Sequence, residues 1–469
     1  MKNKTIGVIL SVVMTATLLA GCGSSSDDTS SEDTEDTSEE VDEEITEQEE
    51  SASEEDSSEE TSSDEAVTIR FAWWGSQDRH DKTIEAIELY ESLNPNVTIE
   101  YEYYSYDDYN TKLKTLVASN QVWDVFQMDD MWPIYESKIY PLDEYIDSGI
   151  IDVSNISDAY LATTQDPADG SQIGLSCGVR SYGLVFNRSM FEEAGVDAPE
   201  EGWTWDDYQT AADAVSEALG TFGSSDVDKF IIGGEARLRQ QGEYGQYSFF
   251  NDDYTGLGFD DPELLAGFFE MAGEMIQNGS YPDQGAQTEV SSVEGDFIVT
   301  GESAMGIFPT NQFPTVYDSC LETQGVELEM TTIPRVTQDG NSGVWIQSAQ
   351  MLCVSQDSEC KDEAAEFINW FTNDVDCNNI LEGERGVSIN DLVREANMEN
   401  ASDAQLIMYD FVDMISEYSD LEDYVAASPE GSEEIEDAYI NYLTEVANEE
   451  MTASEAAQKI YDLSLSIFE

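Results

Sequence analysis

Apolar residues at Val67, Ile69, Phe71 and Trp73 alternate with other types, the period of two that predicts a β-strand. The run breaks at the polar, aromatic stretch from Trp74 to His80. Ile84, Ile87, Tyr90 and Leu93 then recur at helical spacing until Asn94-Pro95-Asn96 ends the helix. Val97, Ile99, Tyr101 and Tyr103 predict a second strand, and Tyr109, Leu113, Leu116 and Val117 a second helix. Trp123 to Met128 predicts a third, buried strand leading into Asp129-Asp130-Met131-Trp132. In an open α/β sheet, ligands sit beyond the carboxyl ends of the strands. Trp73-Trp74 and Asp129 to Trp132 both fall there.

Farther on, Gly174 to Asn187 is a glycine-punctuated extended run that reads as a strand passing between lobes. Met190 to Ala194 predicts a short helix stopped by Gly195, and Thr204 to Asp207 has the form of a capping box. Phe259-Asp260-Asp261-Pro262 opens a helix whose Phe268, Phe269, Met271 and Met275 read as core. Gly301 to Phe308 leads into a polar turn, Pro309 to Gln312. Trp345 to Val354 is a second extended run, Asp362 to Phe371 a helix, Leu381 to Ser388 a loop, and the C-terminal part is helical.

Composition adds class and location. The 469 residues suffice for about two to three domains. A formal charge of −83 with a single His excludes a phosphate-neutralising surface, so no nucleic-acid partner is expected. Lys2 and Lys4 precede an apolar run, Ile6 to Ala20, too short to span a bilayer. The residues Leu19-Ala20-Gly21 before Cys22 resemble the bacterial lipobox, which implies a signal peptide over 1–21 and lipid on the Cys22 thiol. Acyl chains contribute about 0.8 kcal/mol per buried CH₂ and anchor without a spanning helix. Residues 22–65 then read as a disordered acidic tether: from Gly23 to Glu65 there are 21 Asp and Glu but no Lys, Arg or aromatic residue. The five remaining cysteines, Cys177, Cys320, Cys353, Cys360 and Cys377, fit no zinc spacing. A Cys353–Cys360 disulfide and reduced buried thiols are both compatible with them.

Taken in order, Trp73-Trp74-Gly75, Asn94-Pro95-Asn96-Val97 and Trp123 to Asp129 resemble the carbohydrate-binding extracellular solute-binding proteins of bacterial ABC importers, the family that includes maltodextrin-binding proteins. Gly178 to Asn187, Phe259 to Pro262, Gly301 to Met305, Ala364 to Ile368 and Glu384 to Val387 extend the resemblance over the whole body. The third strand departs from the family by beginning Trp123-Asp124 where Pro-Asp is usual. The resemblance implies a two-lobed α/β fold of the periplasmic-binding-protein type (type II), with hinge-crossing strands near Val179–Val185 and Gln347–Leu352 and a C-terminal helical part. Lobe one would take 67–178 plus 353–389, and lobe two 179–352 plus 390–469.

Sugars present apolar faces rimmed with hydroxyls, so a site needs aromatic platforms beside carboxylates, amides and Arg. The resemblance places Trp74, Gln77, Asp78 and Arg79 on the first strand-helix loop, and Asp129, Asp130 and Trp132 after the third strand. Arg180 and Ser181 fall at the first crossing, Asn311, Gln312, Trp345 and Gln347 in the facing lobe, and Arg385 on the late loop. Trp73 reads as core; Asp78 has a helix-capping alternative, and Arg79 and Arg385 an ion-pairing one. The expected function is a monomeric, membrane-anchored, non-enzymatic receptor without cofactor or metal, delivering a carbohydrate to permease subunits of an ABC importer. A glycoside hydrolase and a receptor for a non-sugar solute are the alternatives. Carboxylate pairs cannot argue for the hydrolase in a chain with 101 Asp and Glu, because such pairs occur throughout it.

Overall fold

The computed structural model describes residues 66–468 apart from 226–230, 244, 252–253, 291–292, 417–423, 426–427 and 430. Cys22, the signal peptide and the acidic tether lie outside the described residues.

The first sheet grows from β1 (Val67–Trp74), α1 (Gln77–Leu93), β2 (Val97–Tyr104), α2 (Tyr106–Ser119) and β3 (Val125–Met128). Central β1 runs parallel to β2, pairing Phe71 with Tyr101, and parallel to β3, pairing Phe71 with Val125. Because strand side chains alternate, β1 feeds two cores. Phe71 lies edge-on to Phe367, ring centroids 5.3 Å apart, in the helix Lys361–Asn373. Trp73 shares that face and is fully buried, with its indole N–H donating to His80 Nδ1 at 3.1 Å. Ala72 and Trp74 face the other way, into a cluster with Tyr109, Leu113 and Phe126.

Strand β4 (Ile139–Tyr140) and β5 (Leu175–Arg180) join this sheet, and β6 (Tyr182–Phe186) starts the second. The extended run therefore spans both sheets but breaks at Ser181, whose backbone bonds leave the ladder. Its N–H donates to Thr310 Oγ1 at 3.1 Å and its carbonyl accepts from Thr310 N at 2.9 Å. The second sheet also contains β7 (Phe222–Ser224), β10 (Ser303–Pro309) and β11 (Glu329–Thr331), in the order β11-β6-β10-β7. A separate hairpin pairs β8 (Ser248–Phe250) with β9 (Leu257–Gly258). The long, fully buried β12 (Ile346–Ser355) returns to the first sheet and pairs with β3, β4 and β5. Its pairing with β5 slips in register between Ser348 and Met351. Residues 390–469, expected in the second lobe, also add β13 (Tyr424–Val425), which lies parallel to the start of β12.

Local signals explain the element ends. Thr204 and Asp207 form the reciprocal capping box before the helix Trp205–Leu219, and Gly195 ends the helix Arg188–Ala194 at φ 73°. Ser76, not Asp78, caps α1, its hydroxyl accepting from Arg79 N. A polar turn was expected after β10, but a 3₁₀ turn (Thr310–Gln312) runs straight into the helix Phe313–Gln324, with Pro in its first turn. The five cysteines among the described residues are free thiols. The Cys353–Cys360 alternative does not occur: Cys353 is sealed inside β12, and Cys360 points its sulfur toward the Thr68 carbonyl.

Candidate functional site

The carboxyl ends of β1 and β3, the crossing at Arg180–Tyr182 and the segments 311–322 and 345–350 open on one cleft of about 2190 Å³. Small-molecule pockets are roughly 300–1,000 Å³. The cleft has room for an oligomeric ligand.

One wall begins at Trp74. Its ring meets Tyr106 edge-on at 5.5 Å and Tyr109 at 5.0 Å, and it remains 8% exposed. The Trp74 carbonyl accepts from Arg79 Nη1 at 3.1 Å and from Gln127 Nε2 at 3.2 Å. Arg79 Nε lies 2.6 Å from each oxygen of Glu384, a pair almost wholly buried. Asp78 is bound to Lys82, which also reaches Glu382 at 3.0 Å. Gln77 is exposed and donates to Asp81. Asp129 accepts from the Tyr106 hydroxyl at 2.9 Å and from Met131 N at 3.1 Å, and Asp130 accepts from the Ser428 hydroxyl at 2.7 Å. Burial, and next the charge of Asp130, raise the Asp129 carboxyl to about 6, against the opposing pull of its hydrogen bonds and of Arg180.

The facing wall is built on Trp345. Its indole donates to Gln347 Oε1 at 2.8 Å, Tyr182 packs against it at 5.3 Å, and the Arg239 guanidinium lies 5.1 Å from its ring centre. Arg239 also pairs with Glu235, while Arg180 lies 5.8 Å from the centre of the Tyr182 ring. Asn311 Oδ1, Gln312 Oε1, Gln350 Oε1 and the Tyr439 hydroxyl are buried atoms on this cleft with no hydrogen-bond partner in the protein. Buried polar atoms nearly always have partners, so these four atoms give the cleft bonding capacity that a ligand can use.

Of the residues expected at the site, Trp74, Gln77, Asp78, Arg79, Asp129, Asp130, Arg180, Asn311, Gln312, Trp345 and Gln347 line the cleft. Trp132, Ser181 and Arg385 lie beneath it. Trp132 is 3% exposed and packs in the second core cluster. The Ser181 hydroxyl is spent on the Trp345 carbonyl at 2.7 Å, tying the two crossings together. Arg385, also 3% exposed, donates to Gln127 Oε1 at 3.0 Å and Thr83 Oγ1 at 2.9 Å, over the Phe371 ring. Its loop needs glycine on the neighbouring strand, because a Cβ at Gly178 would sit 2.6 Å from the Arg385 carbonyl. Arg385 is linked through Gln127 to the Trp74 carbonyl.

Sequence reasoning missed Arg239, Gln350 and Tyr439. Arg239 carried one signal, the scarcity of basic residues (18 in the chain), which makes any Arg informative. Gln350 and Tyr439 carried none, since the former is masked in a strand pattern and the latter in a helical one. Among the described residues no group of three or more His, Cys, Asp or Glu is placed to hold a metal ion. No helix among them is long and apolar enough to cross a membrane.

Two sheets joined by crossing strands, with a large polar and aromatic cleft at the crossings, define a two-lobed solute-binding architecture. Residues 76–376 match the family described as bacterial extracellular solute-binding protein, and the chain belongs to that family. A periplasmic solute-binding protein from Pectobacterium atrosepticum is similar in structure, with TM-score 0.75, 19% identity, and 86% of this chain and 98% of that one covered. So is an oligogalacturonide-binding protein from Yersinia enterocolitica solved with digalacturonic acid (TM-score 0.73, 20% identity, 86% and 98% covered). An ABC substrate-binding protein from Listeria monocytogenes solved with cycloalternan is also similar (TM-score 0.68, 18% identity, 86% and 99% covered). At these identities the likeness concerns the fold. A putative binding protein of Brucella abortus is 26% identical over 124 residues, a match covering 25% of this chain and 29% of that relative's own length.

Proposed function

We propose that this chain is the substrate-binding lipoprotein of an ABC importer, capturing an oligosaccharide in the cleft and delivering it to the permease. The observation that carries this reading is the pairing of aromatic surfaces, Trp74 on one wall and Trp345 with Tyr182 on the other, with unpartnered buried acceptors at Asn311, Gln312 and Gln350. Aromatic faces suit sugar rings, and the acceptors suit hydroxyl donors. Structural neighbours that bind digalacturonic acid and cycloalternan support a carbohydrate over other solutes. Binding free energy would stabilise a closed arrangement of the lobes that the permease recognises. Lobe one would comprise 67–178 plus 353–389, with β13 added from the C-terminal part, and lobe two the remainder of the body. Lipid on Cys22 and the tether over 22–65 would hold the monomeric body at the outer face of the cell membrane.

A thermal-shift screen against mono- and oligosaccharides tests the class, because a ligand that binds only the folded state raises the melting temperature. Trp74→Ala and Asp129→Ala are expected to weaken the sugar found while leaving the body folded; unchanged titrations in both would reject this site. Removing residues 22–65 should release the protein from membranes with affinity intact, and a large loss of affinity would reject the tether. Sugar released by the purified protein would overturn this reading in favour of a glycoside hydrolase.

A further inference from the structure

Resting on that carbohydrate reading, we propose that the ligand is an uncharged oligosaccharide and that the cleft rejects uronates and other anionic sugars. The first ground is the charge of the walls. Eleven Asp and Glu line the cleft against four Lys and Arg. Three of those four bases are already neutralised within the chain: Arg79 by Glu384, Lys82 by Asp78 and Glu382, and Arg239 by Glu235. The fourth, Arg180, acts electrostatically on Asp129. A ligand carboxylate is bound most strongly by an Arg fork of its own. At Arg79, Lys82 and Arg239 it would have to displace a carboxylate already bound.

The second ground is independent of net charge. The orphan atoms at Asn311 Oδ1, Gln312 Oε1 and Gln350 Oε1 are acceptors, and each is buried. A hydroxyl supplies a donor to such an atom, whereas an ionised carboxylate supplies only more acceptors. At these three oxygens charge and donor–acceptor pattern agree. Two unit charges about 5 Å apart at an effective dielectric of about 20 repel strongly enough to separate acid from neutral sugar by at least about tenfold.

The test is titration calorimetry on the full chain with three groups of oligomers, two to five residues long. They are neutral gluco-, galacto- and xylo-oligosaccharides together with methyl-esterified oligogalacturonate; the free oligogalacturonates; and chitosan oligomers, which are cationic. The expected result is a preference of at least tenfold for the tightest neutral oligomer over every free uronate at low salt. Screening should narrow that gap at high salt. A uronate that binds as tightly as its methyl ester, or as the best neutral oligomer, overturns this proposal and leaves the carbohydrate reading standing. A chitosan oligomer that binds tenfold tighter than every neutral one overturns it in the opposite direction. No binding in any of the three groups rejects the carbohydrate reading itself, and this inference with it.

Discussion

The two walls of the cleft are finished to different degrees. On the first-sheet wall each charged group named at the site already has a partner: Arg79 with Glu384, Asp78 with Lys82, Asp129 with Tyr106, Asp130 with Ser428. The facing wall and the crossing strand carry the orphans, Asn311, Gln312, Gln350 and Tyr439. A wall whose bonds are made is held rigid in its geometry before ligand arrives. A wall with buried, unmade bonds is costly alone and gains most when a hydroxyl-bearing ligand fills it. The first presents a fixed platform; the second carries the energetic incentive to close.

That contrast is open to test, and the largest effect belongs to the finished wall. Glu384→Gln leaves the buried Arg79 guanidinium without its counter-charge, and the expected cost is about 3 kcal/mol of folding stability in urea denaturation. A cost near zero would mean the wall is not held by this pair. Asn311→Ala should behave oppositely, weakening the ligand by about 1 kcal/mol, roughly fivefold, with the free protein's melting temperature unchanged or raised. A drop in stability with affinity intact would make Asn311 a structural residue and erase the difference between the walls.

Acidity sharpens the picture further. Asp129 titrates near 6 in the fold, above the ordinary carboxylate value, so in the window between about 4 and 6 the folded state holds a proton the unfolded state has lost. Its contribution to stability is therefore fully present below about pH 4 and is lost as pH rises through 6. Melting temperatures from pH 4 to 8 should show that this part of the slope is absent in Asp129→Asn. An unchanged slope would assign the acid dependence to other groups. Smallest of all is Gln77→Ala, an exposed residue bonded only to Asp81, whose expected stability change is under about 0.5 kcal/mol. Its effect on affinity, read by calorimetry, measures how much an exposed rim group adds.

Much of this was legible in the chain. Period-two runs at Val67–Trp73 and Val97–Tyr103 and helical spacing from Ile84 to Leu93 mark the first three elements, because local burial imposes those periods directly. The assignment of Trp73 to the core followed from its phase with Phe71. Other side chains were not legible. Nothing local to Arg385 tells that it reaches Gln127, 258 positions away, instead of the cleft. Ser181 looks like any crossing serine until the Trp345 carbonyl is placed beside it.

By itself the sequence determined the alternating α/β order, the position of the strand ends where polar and aromatic residues gather, and the acidic character of the body. These depend on residues within a few positions of one another or on simple sums. Only the tertiary structure decided which of the gathered side chains are spent on neighbours and which still await a partner. A hydrogen bond or ion pair depends on distances of about 3 Å between residues hundreds of positions apart, and no local pattern encodes such a distance.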